Sequence, residues 1–290
     1  MNAEAATDYA ERHGLRALLI IRDGAMPFER YVDGVDAETP HPLYSGTKSF
    51  WGPAALAAQD DGLLDLDEPV AATFETWKKG CRGRVTLRHL LSLTAGIGFG
   101  GLGNAVPTYE KALAVELKDE PGTRFTYGGI PLQVFGAVLA RKLAPQGLTP
   151  HDYLRERVLD PAGIEIASWR TLRDGKQPLP TGAALSATAW GRYGQSVLAQ
   201  RERLAPCFIP TPANPRYGLG WWLSPLPSAP DVLYASGSGG QTLYIIPAQR
   251  AVIVKFAKSA SSDHAAFLRR LLSSSPGTGS PSRVGLWLNK

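Results

Sequence analysis

The chain has 290 residues, 44% of them hydrophobic and 20% charged, an ordinary globular balance. A net charge of +5 is spread without a dense basic run, so a solvated surface is expected and no nucleic-acid partner. No run approaches the roughly 18 apolar residues of a membrane span, and the five His show no metal-ligand spacing, so no membrane, metal or cofactor is expected.

Residues 4–13 can form a short helix. Leu18–Ile21 fits a buried strand, Arg22-Asp23-Gly24 a turn, and Pro27 to Val32 a returning strand, together an antiparallel hairpin. Ser45-Gly46-Thr47-Lys48 then opens a predicted helix over 45–60, with Pro53 expected to kink it. Thr86 caps a helix through Leu93, and Gly-rich residues 97–108 form a loop. Residues 130–143 are strongly amphipathic, Thr149-Pro150 starts another helix, and Ser186 or Thr188 caps one through Val197. Strands return at Leu219–Leu223, Val232–Ala235, Gln241–Ile246 and Ala251–Phe256, before a helix from Asp263 to Leu272.

This order predicts an α+β fold. Residues 1–44 and 216–272 supply an antiparallel sheet with flanking helices. Residues 45–215 supply a mainly helical lobe, and 273–290 a Ser-, Gly- and Pro-rich tail expected to be flexible. Ser45 falls where strands hand over to helices, and a cleft between two lobes is a favoured ligand site. Residues 1–16 lack the apolar core of a signal peptide, so a cytoplasmic location and free Cys81 and Cys207 are expected. A leader removed earlier would leave the same reading. The sequence does not define an oligomeric state.

Ser45 and Lys48 share one helix face, about 5–6 Å apart at Cβ. An unprotonated Lys48 could take the Ser45 proton and make the hydroxyl a nucleophile. The motif alone is weak, since about one Ser-x-x-Lys arises by chance in such a length. Its surroundings decide. Val85 to Gly96, Pro121-Gly122-Thr123-Arg124-Phe125-Thr126-Tyr127, Arg155 to Ile164, Tyr217 to Trp221 and Ser236 to Gln241 follow in order. With Ser45 to Lys48, these segments resemble the serine hydrolases related to class C β-lactamases and penicillin-binding proteins, over about Leu15 to Leu272. The resemblance implies a β-lactamase/transpeptidase-like fold with the active site between the lobes.

It also implies Ser45 as nucleophile, Lys48 as base and Tyr127 as proton relay or partner base. The oxyanion hole would be the backbone N–H of Ser45 and Ser238. Ser236, Gly237, Tyr44, Gly129 and Trp221 are candidate substrate contacts. Of Trp221 and Trp222, strand alternation turns one inward and one outward. Two departures stand out. Ala235 occupies the place of the family's strand Lys or His, and Gly129 that of the Asn in Tyr-x-Asn. Both remove polar substrate-holding groups. The expected activity is cleavage of a small ester or amide through a Ser45 acyl-enzyme. The alternatives are a β-lactamase or D-amino-acid peptidase, and an inactive ligand-binding homologue.

Overall fold

The computed structural model describes residues 1–258 and 262–273. The tail expected to be flexible lies outside the described residues, except for Ser273.

Helices are α1 (Ala3–Glu11), α2 (Trp51–Asp60), α3 (Leu87–Leu91), α4 (Tyr109–Leu113), α5 (Ile130–Leu143), α6 (Pro150–Leu154), α7 (Ala187–Ala199) and α8 (His264–Leu272). Strands are β1 (Leu15–Arg22), β2 (Ala25–Tyr31), β3 (His41–Pro42), β4 (Ser168–Trp169), β5 (Ala183–Leu185), β6 (Trp222–Leu223), β7 (Leu233–Gly237), β8 (Gln241–Ile246) and β9 (Ala251–Ala257). Both chain ends feed one antiparallel sheet, ordered β2-β1-β9-β8-β7-β6. A small second sheet, β3-β5-β4, joins residues 41–42 to the end of the helical stretch.

The central strands are buried on both faces, so the pleat divides their side chains between two cores. Leu19, Leu243, Val252, Val254 and Ala235 point to the helical lobe, with Trp190 and Tyr193 of α7. Leu18, Ile20, Tyr234, Tyr244 and Ile253 point the other way and are covered by Phe267, Leu268 and Leu271 of α8 and by Ala6 and Tyr9 of α1. Side-chain caps fix where helices begin. Thr86 accepts from His89 N, Ser186 from Ala189 N and Asp263 from Ala266 N. Each such cap contributes about 1 kcal/mol. Ser186, rather than Thr188, is the cap of α7. Cys81 and Cys207 are free thiols, as expected.

The Ser45 segment departs from its sequence reading. Tyr44–Phe50 is a 3₁₀ helix, and regular α-helix starts only at Trp51. Pro53 therefore does not interrupt a running helix. It sits in the first turn of α2, where a missing N–H costs no intrahelical bond. The irregularity lies upstream of the proline. The Leu219–Leu223 strand is also shorter than expected, pairing with β7 only at Trp222 and Leu223.

Candidate active site

The 3₁₀ turn carries Ser45 out of a strained residue. Tyr44 has φ +48°, a left-handed conformation that side-chain-bearing residues seldom adopt. The turn is clamped from two sides. Gly237 of β7 lies so close that a Cβ there would sit 1.9 Å from the Leu43 carbonyl oxygen. On the other side, Tyr193 Oη and Trp221 Nε1 both donate to the Ser49 carbonyl, at 2.8 and 3.1 Å.

Lys48 Nζ lies 2.8 Å from Ser45 Oγ and donates to the Pro180 carbonyl at 3.2 Å. Its side chain is 1% exposed. Burial, with no carboxylate to offset it, lowers the Lys48 pKa to about 7. The Nζ also stands 4.9 Å from the centroid of the Tyr127 ring. Tyr127 hydrogen-bonds Ser45, and burial pushes its phenol above the usual range. The two groups are thus driven apart: the lysine is readily neutral and the phenol stays protonated.

Ser238 lines the same cleft as Ser45 and Tyr127, which has two parts. A small cavity of about 100 Å³ is bounded by Tyr44, Ser45, Gly101, Leu102, Gly103, Tyr127, Pro180, Thr181 and Ser238. A more open part of about 390 Å³ is lined by Ser45, Tyr127, Trp222, Tyr234, Ser236, Gly237, Ser238 and His264. Other cavities of comparable size, such as the 350 Å³ space beside His151 and Trp169, contain no such serine–lysine pair. Chemistry rather than volume selects this cleft.

Of the expected site residues, Ser45, Lys48, Tyr127, Ser236, Gly237, Ser238 and Tyr44 are brought together. Trp221 is not a cleft residue: it is 0% exposed, and its indole is committed to the Ser49 carbonyl. Trp222 is the one that faces the cleft, its ring stacked 5.7 Å from that of Tyr127. Gly129 is a backbone contact rather than a substrate contact. A Cβ there would meet Gly101 O at 1.9 Å, and its N–H donates to Gly100 O. That close approach pins the glycine-rich 97–108 loop to the chain just after Tyr127, so Asn has no room. Ala235 is buried on the helical-lobe face of β7.

The sequence reading missed Pro180, Thr181, Tyr234, His264 and Gln133, and of the tryptophan pair it named Trp221 as the contact where Trp222 lines the cleft. Gln133 of α5 is wholly buried and bridges two loops. Its Oε1 accepts from Leu179 N at 2.9 Å, and its Nε2 donates to Pro107 O at 2.6 Å. Trp51 Nε1 donates to Leu179 O at 2.6 Å. Both bonds hold the residue before Pro180 and thereby aim the carbonyl that positions Lys48. Gln133→Leu strips one of them and leaves the Leu179 amide unpartnered. It is expected to cost about 1–3 kcal/mol of stability, read as a lower urea midpoint.

A two-lobed α+β fold with a buried lysine on a serine in the interlobe cleft defines the class of β-lactamase- and penicillin-binding-protein-like serine hydrolases. The chain belongs to the beta-lactamase family, whose sequence model, Beta-lactamase, matches residues 3–274. It is 29% identical over 160 residues to Monacolin J acid methylbutanoyltransferase of Aspergillus terreus. That stretch is 45% of this chain and 38% of the fungal enzyme. Among solved structures, the fold is similar to a penicillin-binding protein homologue from Pyrococcus abyssi (TM-score 0.72, 20% identity, 94% of this chain and 77% of that one). It is also similar to a D-stereospecific amidohydrolase from Streptomyces sp. (TM-score 0.72, 15% identity, 93% and 98%). A beta-lactamase from Mycobacterium bovis gives a TM-score of 0.66 at 19% identity, over 91% and 94%.

Proposed function

We propose that this chain is a serine hydrolase that cleaves a small, weakly polar ester or amide through a Ser45 acyl-enzyme. One observation carries the reading: Lys48, wholly buried and with its pKa lowered to about 7, stands 2.8 Å from Ser45 Oγ. Neutral Lys48 takes the Ser45 proton as Oγ attacks the carbonyl carbon. The oxyanion gathers at the backbone N–H groups of Ser45 and Ser238. The carbonyl reforms, the bond to the leaving group breaks, and the Tyr127 phenol protonates that group. Protonated Lys48 returns a proton to the Tyr127 phenolate, which restores the neutral amine. Water, deprotonated by Lys48, then attacks the acyl carbon, the bond to Ser45 Oγ breaks, and the lysine proton passes back to Oγ as the acid leaves.

Two features support an ester of modest polarity over a β-lactam. Ala235 and Gly129 carry no group to hold a substrate carboxylate or amide side chain. The smaller cavity suits a short acyl group, and the open half, lined by Tyr127, Trp222 and Tyr234, suits an apolar or aromatic alcohol portion. The likeness to a methylbutanoyltransferase favours a second reading, in which an alcohol rather than water takes the acyl group.

A fluorophosphonate probe is expected to add once to the wild-type chain and not at all to Ser45→Ala, read by intact mass. No adduct on the wild type, or an equal adduct on the variant, would overturn the catalytic reading. A short-chain nitrophenyl ester is expected to turn over faster than a chromogenic cephalosporin. The reverse order would move the substrate class to β-lactams. Formation of a new ester when a primary alcohol is added would select acyl transfer.

A further inference from the structure

The α8 face of the sheet carries a polar row that the acylation chemistry does not use. Ser236 pairs with Thr242, and Thr242 with Lys255, across β7, β8 and β9. The pleat puts these three on the face covered by α8, two residues along from Tyr234, Tyr244 and Ile253. His264, the first residue of α8, drops its ring onto this row. Its Nδ1 is 2.7 Å from Tyr244 Oη, and its Nε2 is 3.4 Å from Ser236 Oγ. The ring also packs 4.6 Å from that of Tyr234. His264 and Ser236 both line the open half of the cleft with Ser45 and Tyr127.

The direction of the proton chain follows from the groups. Tyr244 is 0% exposed, and burial pushes its phenol well above the usual range, so it keeps its proton and donates to Nδ1. The neutral tautomer then carries its own proton on Nε2 and donates it to Ser236 Oγ. The Ser236 O–H is left free to point into the cleft.

We propose that Tyr244, His264 and Ser236 form a neutral hydrogen-bond relay. It presents the Ser236 hydroxyl proton to an uncharged acceptor oxygen, of a ketone, ester or ether, on the alcohol portion of the substrate. The relay lies on the face of β7 opposite Ala235, where the wider family has a basic residue, and it arrives from a different element. Burial, with the nearby Lys255 charge, lowers the His264 pKa to about 4 against the opposing pull of Asp263. The ring is therefore uncharged at neutral pH and offers a dipole, which suits a neutral acceptor better than a carboxylate. Ser236 is the contact and His264 a positioning residue. The inference rests on the Ser45 reading only for which way the substrate lies.

The test uses binding in a Ser45→Ala background, followed by tryptophan fluorescence, so that it needs no turnover. The ligands are phenyl acetate, 3-acetylphenyl acetate and 3-carboxyphenyl acetate. The ketone ester is expected to bind roughly fivefold more tightly than phenyl acetate, the size of one net hydrogen bond. His264→Phe and Ser236→Ala should each bring that ratio near one, and combining them should lower it no further. His264→Gln, which keeps an N–H donor, should recover part of the ratio, separating the relay from a packing role. A ratio near one in the parent, an unchanged ratio in His264→Phe, additive losses, or tightest binding of the carboxylate would each overturn the relay. Absence of wild-type turnover on phenyl acetate would instead sink the Ser45 chemistry and leave the ratio to be read.

Discussion

Lys48→Met is expected to lower kcat/KM for an ester by about 10³-fold or more while raising the melting temperature. The first effect follows from the loss of the only amine within reach of Ser45 Oγ among the described residues. In the wild type, kcat/KM should rise about tenfold per pH unit up to about 7 and then level, because only the neutral amine accepts the proton. Wild-type rates in the variant would transfer the base role to Tyr127.

The second effect follows from linkage. Unfolded Lys48 holds its proton to about 10.5, whereas folded Lys48 releases it near 7. Between those values the unfolded state binds more protons, so stability rises with pH across that window. Below about 7 the full penalty of burying a cation is present. Met fills the same space without it. The variant should gain a few kcal/mol at pH 7, and the gain should shrink toward pH 10. Urea unfolding at the two pH values reads the difference. An equal gain at both would show that packing, not protonation, is responsible.

Gly129→Asn restores the side chain that the wider family has after its Tyr, and it is expected to do harm. Its Cβ would lie 1.9 Å from Gly101 O and 3.0 Å from Pro180 Cγ. Either the glycine loop or the Pro180 segment must move, a strain of about 1–3 kcal/mol or more. Because the Pro180 carbonyl holds Lys48, turnover should fall together with stability. Cephalosporin hydrolysis should not appear. A variant that melts like the wild type would show that the Gly101–Gly129 contact is soft. One that gains β-lactam turnover would show that the missing Asn alone sets the substrate class.

Much of the fold was legible because local rules governed it. Helix α5 starts and ends where its apolar period does, at Ile130 and Leu143. Thr86, Thr149 and Asp263 cap helices because their side-chain oxygens reach backbone N–H groups three residues on. The Ser45–Lys48 pair was legible because its spacing survives the change from α to 3₁₀ geometry. What escaped depended on tertiary packing. A backbone carbonyl such as that of Pro180 has no side-chain signature. Strand alternation separates Trp221 from Trp222 but does not say which faces the core. His264 has no signature in the sequence, since its partners Tyr244 and Ser236 lie far off in β8 and β7.

The carbonyl that holds Lys48 belongs to a residue 132 positions later in the chain. At a synthesis rate of roughly 5–20 residues per second, that gap takes on the order of 10 s to cross. Through that interval the serine and lysine exist without their third support, and Ser238 has yet to be made. A nascent chain therefore exposes the motif well before the groups around it are in place. The cleft is completed only when strands made much later, such as β7 with Ser236 and Gly237, close over the Ser45 turn.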